Sequence, residues 1–116
     1  MRDLVVEMAG VLAILVAVTH GVLGETRVFA CARIEPPWAK RLVYAVWQCS
    51  TVAWLAGGVL LCAIPLMSSD PARRWIIAVL VAVYASAAIG NAWASRGRHF
   101  GWMLLSAVIA LALCGL

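Results

Sequence analysis

His20 and Glu7 are the side chains whose type and place can do chemistry. Both lie in a long apolar run, Leu4 to Leu23. An ionisable group inside such a run is costly and points by default to a function. A neutral imidazole can relay a proton or ligate a metal or haem iron, and a carboxylate can couple proton movement to a substrate. Glu7 and His20 are therefore the candidate proton-coupling residues. Each also has a plain structural reading. His20 can be hydrogen-bonded to Gln48, Asn91 or a backbone carbonyl. Glu7, about one turn inside the end of its run, can reach lipid headgroups or pair with Arg2, Arg73 or Arg74. Paired haem ligation needs a second histidine, and the chain has only 2, the other being His99. Gln48 and Asn91 are side-chain amides in apolar surroundings, where bridging helices is worth about 0.6 kcal/mol per bond on average.

The established catalytic templates are missing. There is no H-E-x-x-H, no phosphate-binding loop, no G-x-S-x-G and no dinucleotide-binding glycine fingerprint, and no aspartate lies inside an apolar run. The 4 cysteines are Cys31, Cys49, Cys62 and Cys114, none in a C-x-x-C pair. They suggest neither a disulfide framework nor a zinc site. The expectation is no catalytic residue, no metal site and no cofactor, with haem on His20 as an alternative.

The elements that carry these residues follow from the solvent. Of 116 residues, 66% are hydrophobic and 12% charged, against roughly 45–50% and 25% in an ordinary soluble domain. A soluble chain of this length cannot hide so much apolar surface, whereas lipid solvates it. A membrane-spanning helix needs about 20 mainly apolar residues, and the sequence offers four such stretches, near 4–23, 42–64, 75–94 and 100–116. The first reads as a retained span and not a cleaved leader: it is too long for a signal segment, and Glu25 and Arg27 separate it from Val28-Phe29-Ala30-Cys31. Residues 24–41 read as a polar connection broken by Pro36-Pro37, with Trp38 as an interface anchor. Pro65 ends the second span, and Asp70-Pro71 reads as the capped start of the third. The expected fold is all-α: one integral membrane domain over residues 1–116, its four transmembrane helices forming an antiparallel up-down-up-down bundle.

The net charge of +4 sits in the gaps between runs with no basic face, which argues against nucleic acid and for membrane orientation. The first and third connections hold Arg27, Arg33, Lys40, Arg41, Arg96 and Arg98. The other side holds Arg2, Arg73 and Arg74. The excess places those connections in the cytoplasm and both termini outside. Richness in alanine, arginine and glycine suggests a GC-rich bacterium and hence its inner membrane.

Gly10, Ala13, Ala17, Gly21 and Gly24 recur every three or four residues, a spacing that lets helices approach closely in lipid. With Gly58 on the second span they are the expected packing residues. On the second span Tyr44, Gln48, Thr51 and Gly58 share the more polar face, with Trp47 and Trp54 beside it. Because the first and third spans end where the second and fourth begin, His20, Gln48, Thr51, Asn91 and His99 share one leaflet with Trp102. They form a candidate intramembrane polar cluster.

Two segments carry a resemblance: Thr19-His20-Gly21-Val22-Leu23-Gly24-Glu25, closing the first span, and Val46-Trp47-Gln48-Cys49-Ser50-Thr51-Val52-Ala53-Trp54 in the second. They resemble a group of small bacterial four-helix inner-membrane proteins with a His-x-x-x-Gly-Glu ending to the first helix and a Trp-rich second helix. The resemblance implies a histidine in relatives where this chain has Gln48, so that a paired-histidine site is broken here. It implies no particular activity. In length and helix count alone the chain is also similar to the small multidrug resistance transporters, but Glu7 lies too near the end of its helix to match their central glutamate. Three functions follow as expectations. The first is a non-enzymatic accessory or assembly subunit beside other membrane proteins, or a homo-oligomer. The second is a proton-coupled transporter or channel using Glu7 or His20. The third is a haem- or quinone-linked redox subunit using His20.

Overall fold

The computed structural model describes residues 1–116 and contains helices and turns but no strand. Helix α1 spans Arg2–Leu23. It runs through a π-helical turn, Gly24–Val28, into the short α2, Phe29–Cys31. Helix α3 covers Pro37–Ala63, followed by a 3-10 turn at Ile64–Leu66. Helix α4 covers Asp70–Ser95 and α5 covers Gly101–Cys114. The result is an all-α bundle of four rods. Three of them, Arg2–Cys31, Pro37–Leu66 and Asp70–Ser95, are long and apolar enough to cross a membrane. The fourth, at 14 residues, is about 21 Å long, short of the roughly 30 Å hydrocarbon layer.

The connection expected over 24–41 is much shorter than that. Helix continues from Leu23 to Cys31, and α3 already begins at Pro37, leaving only Ala32–Pro36 outside a helix. The helix does break before Pro36-Pro37, but Pro37 itself opens α3, because in the first turn its missing N–H has no partner to lose. At the start of α4 the cap is Ser69 and not Asp70: the Ser69 hydroxyl accepts from the Ala72 N–H at 3.5 Å, and Asp70 is the first helical residue. Helix α4 ends where Arg96 takes up the left-handed conformation, φ 51°, and the Gly97 N–H, with φ 73° at that residue, reaches back to the Ala92 carbonyl. That closure turns the chain sharply into α5.

Helix α1 lies between α3 and α5, and α4 packs mainly on α5. The pairings of α1 with α3 run in opposite directions along the two helices. Gly10 meets Gly58 and Cys62, Gly21 meets Thr51, and Gly24 meets Trp47. Small residues make this approach possible: a Cβ on Gly10 would stand 2.7 Å from the Gly58 carbonyl, and one on Gly58 would stand 2.9 Å from the Gly10 carbonyl. Ala13 and Ala17 are fully buried in the same helix. Helices α3 and α4 meet along a narrow seam, where the Tyr84 hydroxyl donates to the Trp54 carbonyl at 3.0 Å and lies beside Gly57. The core is entirely apolar, with Leu61, Ile64, Ile77, Tyr84, Leu105 and Val108 among its fully buried side chains.

Candidate functional site

His20, the residue singled out by type, is held by two tryptophans and a serine on α3. Its ring stacks on Trp47 with centroids 4.1 Å apart and planes 8° apart. Trp54 lies against it at 4.4 Å, tilted by 41°. Its Nε2 is 3.1 Å from the Ser50 hydroxyl. Ser50 spends its one hydrogen on the Trp47 carbonyl at 2.7 Å, so its oxygen is the acceptor for His20. The proton of the neutral ring is thereby fixed on Nε2 and Nδ1 is left as an acceptor. The Trp47 indole N–H in turn donates to the His20 carbonyl at 3.1 Å, which ties the backbone of α1 to α3 at this level.

A cavity of about 450 Å³ opens beside this group, between α1, α3, α4 and α5. His20, Trp47, Trp54, Asn91 and His99 line it with Thr19 of α1 and Arg27 of the π turn, together with Gly101 and apolar side chains. Asn91 comes from the last turns of α4 and His99 from the turn before α5. The Gly101 N–H donates to His99 Nδ1 at 3.1 Å, and the Ser95 hydroxyl accepts from the His99 N–H at 3.3 Å while donating to the Asn91 carbonyl. The Asn91 Oδ1 atom is buried with no hydrogen-bond partner. Gly101 lets the two side chains pack closely on the start of α5: a Cβ there would stand 2.9 Å from His99 Nδ1, 3.0 Å from Asn91 Nδ2 and 3.2 Å from Asn91 Oδ1.

Of the five residues expected to gather in one leaflet, His20, Asn91 and His99 line this cavity, while Gln48 and Thr51 do not. Gln48 donates to the Glu25 carboxylate at 2.6 Å, beside Tyr44, which donates to the same oxygen at 2.6 Å. Thr51 bonds the Trp47 carbonyl of its own helix and turns its methyl group to Gly21. The reason is register. One residue along an α-helix is about 100° of rotation, so the face of α3 carrying Trp47, Ser50 and Trp54 meets His20, and the face carrying Tyr44 and Gln48 meets Glu25. Trp102 turns away and donates to the Gly97 carbonyl at 3.1 Å.

Glu7 lies exposed near the start of α1, and it is Asp3, not Glu7, that pairs with Arg73. Glu7 offers its backbone carbonyl to Cys62. The four cysteines are free thiols. Nowhere are three or more His, Cys, Asp or Glu side chains gathered as a metal site.

Sequence reasoning missed Ser50 and the role of Glu25. A serine in a helix bonds its own backbone more often than a neighbouring helix, so nothing in the sequence set Ser50 apart. By its charge Glu25 reads as part of a polar connection. The π turn keeps it helical and carries it to Tyr44 and Gln48.

Compared with protein-family models, curated proteins and solved structures, the chain matches none. Neither the likeness to small multidrug resistance transporters nor the His-x-x-x-Gly-Glu resemblance gains support from these comparisons. The class defined by fold and composition is a small, largely apolar four-helix bundle of membrane-protein type.

Proposed function

We propose that this chain is a multi-pass protein of the bacterial inner membrane that crosses the bilayer four times, up-down-up-down. In this reading it is a non-enzymatic accessory or assembly subunit of a larger membrane complex, or a homo-oligomer. The observation that carries the reading is how little the bundle covers of itself. Only 21 of 116 residues are buried, while on α4 alone Trp75, Ile89 and Trp93 are 73%, 70% and 83% exposed. A single large apolar surface of this kind calls for lipid, for a protein partner, or for both. A fourth crossing by α5 is supported by the uncharged stretch 101–116, since short spans are accommodated by local thinning of the bilayer. The excess of Arg and Lys at the α2–α3 and α4–α5 connections supports periplasmic termini.

Extraction in mild detergent tests the functional part. The expected result is co-purification with another membrane protein in stoichiometric amount, or a particle containing several copies of this chain. A clean monomer from native membranes would overturn it. A proton-coupled transporter draws less support from the geometry. Glu7 and His20 are 13 positions apart on α1, about 20 Å along the axis, and only His20 borders the cavity.

A further inference from the structure

We propose that the cavity between α1, α3, α4 and α5 holds a long-chain fatty acid, its carboxylate on Arg27 and its hydrocarbon chain between the helices. The wall is graded from one end to the other. Val16, His20, Leu23 and Arg27 follow one another on α1 at steps of three or four positions, so they share one face. From Val16 to Arg27 that face runs roughly 16 Å along the helix axis, which suits a chain better than a compact ring. Val16, Trp54, Leu104 and Leu105 enclose the inner end with apolar surface. Arg27 stands at the other end, the one Arg, Lys, Asp or Glu side chain on the wall. Size sets the number of chains. An apolar cavity of about 150 Å³ holds one benzene molecule. At that density the 450 Å³ here takes roughly 18 carbon atoms, one chain and not the two of a phospholipid.

The polar atoms fix the sign and the position of the head. Arg27 is exposed and no carboxylate pairs with it. The one ion pair of the bundle, Arg73 with Asp3, lies at the opposite end. Glu25, two positions from Arg27, is engaged by Tyr44 and Gln48. A guanidinium only donates, in a fork that matches a carboxylate. His99, at the same end, brings a second donor: its Nδ1 accepts from the Gly101 N–H, so the neutral ring carries its proton on Nε2. Thr19 adds none, because its hydroxyl hydrogen goes to the Leu15 carbonyl at 2.8 Å. The Asn91 Oδ1 atom is fully enclosed and reaches no ligand. His20 Nδ1 is an acceptor and lies roughly 10 Å deeper along α1 than Arg27, which disfavours an anion there and keeps the head at the Arg27 end. A head at that exposed end also leaves its charge out of the apolar interior, as in the basic pockets between membrane helices that take up anionic lipid heads. This step rests on the membrane placement proposed above and is independent of the accessory role.

The test is native mass spectrometry of the full chain released from non-ionic detergent at alkaline pH, titrated with myristate, with myristyl alcohol and with dimyristoyl phosphatidylglycerol. The expected result is saturable uptake of one myristate per chain, about tenfold tighter than the alcohol of the same chain, the scale of one charge-assisted hydrogen bond. In Arg27→Gln, which removes an exposed and unpaired side chain, acid and alcohol should bind alike, and Arg27→Lys should keep part of the preference. Thr19→Trp, which fills the cavity from an exposed position on its wall and keeps Arg27, should lose myristate. Alcohol bound as tightly as myristate by the unaltered chain, or an acid preference that survives Arg27→Gln, overturns the proposal even if Thr19→Trp does not fold. Phosphatidylglycerol that displaces myristate at equal concentration overturns the single-chain ligand in favour of a membrane lipid. A chain that behaves as an integral membrane protein yet takes up no myristate refutes the ligand and leaves the membrane placement standing.

Discussion

At the scale of single residues, the glycines divide by what a methyl group would meet. A Cβ on Gly10 would lie 2.5 Å from the Cys62 sulfur and 2.7 Å from the Gly58 carbonyl, whereas one on Gly90 would meet nothing within 4 Å. Gly10→Ala is therefore expected to force α1 and α3 apart and to destabilise the bundle by about 1–3 kcal/mol. Gly90→Ala, inside α4, should stabilise it by roughly 0.5–1 kcal/mol, because alanine loses less backbone freedom than glycine. Thermal unfolding of both variants in one detergent checks the pair, and equal shifts of the same sign would refute the packing of the α1–α3 seam. His20 shows how far a residue can be read without its neighbours. Its type marked it as costly in lipid. Its partners, Ser50 and the two tryptophans, depend on which face of α3 turns toward α1, and side-chain type does not set that.

At the scale of elements, the π turn Gly24–Val28 is the feature with most consequence. One extra residue per turn re-aims everything that follows it. Here it sets Phe29 edge-on to Tyr44 and Trp47, with ring centroids 5.2 and 5.7 Å apart, and buries it to 8% exposure. Deleting Thr26 should restore an α-helical turn and rotate Phe29 by about 100°. The loss is expected to be roughly 1.5–3 kcal/mol, the worth of burying a phenylalanine side chain. Thr26→Ala keeps the register and should stay near the parent. A melting temperature shared by the two variants would show that the turn positions nothing. The fourth helix makes a different point. It begins at Gly101, because the turn after Ser95 holds His99 and Phe100 outside the helix, and that turn gives His99 its place on the cavity wall.

At the scale of the whole molecule, the bundle is 49 Å long, comparable to the roughly 40–45 Å of a bilayer with its headgroups. The charged residues gather at its two ends. Asp3 and Arg73 are paired where α1 and α4 begin, and Arg27, Lys40, Arg41, Arg96 and Arg98 flank the connections at the other end. If the arginine-rich end faces the cytoplasm, alkaline phosphatase fused after Leu116 should be active and a fluorescent protein fused there dark. Replacing Arg27, Arg96 and Arg98 with glutamine should erode that preference, since positive charge near the spans sets orientation. A bright C-terminal fluorescent fusion in the unaltered chain would reverse the orientation or change the number of crossings.

The sequence by itself determined the helical class and the presence of four largely apolar rods, because these follow from composition and run length summed over many residues. It also marked His20, Asn91 and His99, because a polar group in an apolar run is costly wherever the helix turns. Only the tertiary structure decided that Gln48 serves Glu25, that Ser50 holds His20, and that Gly101 packs tightly between His99 and the Asn91 amide. Those outcomes depend on helix rotation and on a single π turn. A change of one position swings a side chain about 100°, while the apolar pattern that fixes the rods stays the same.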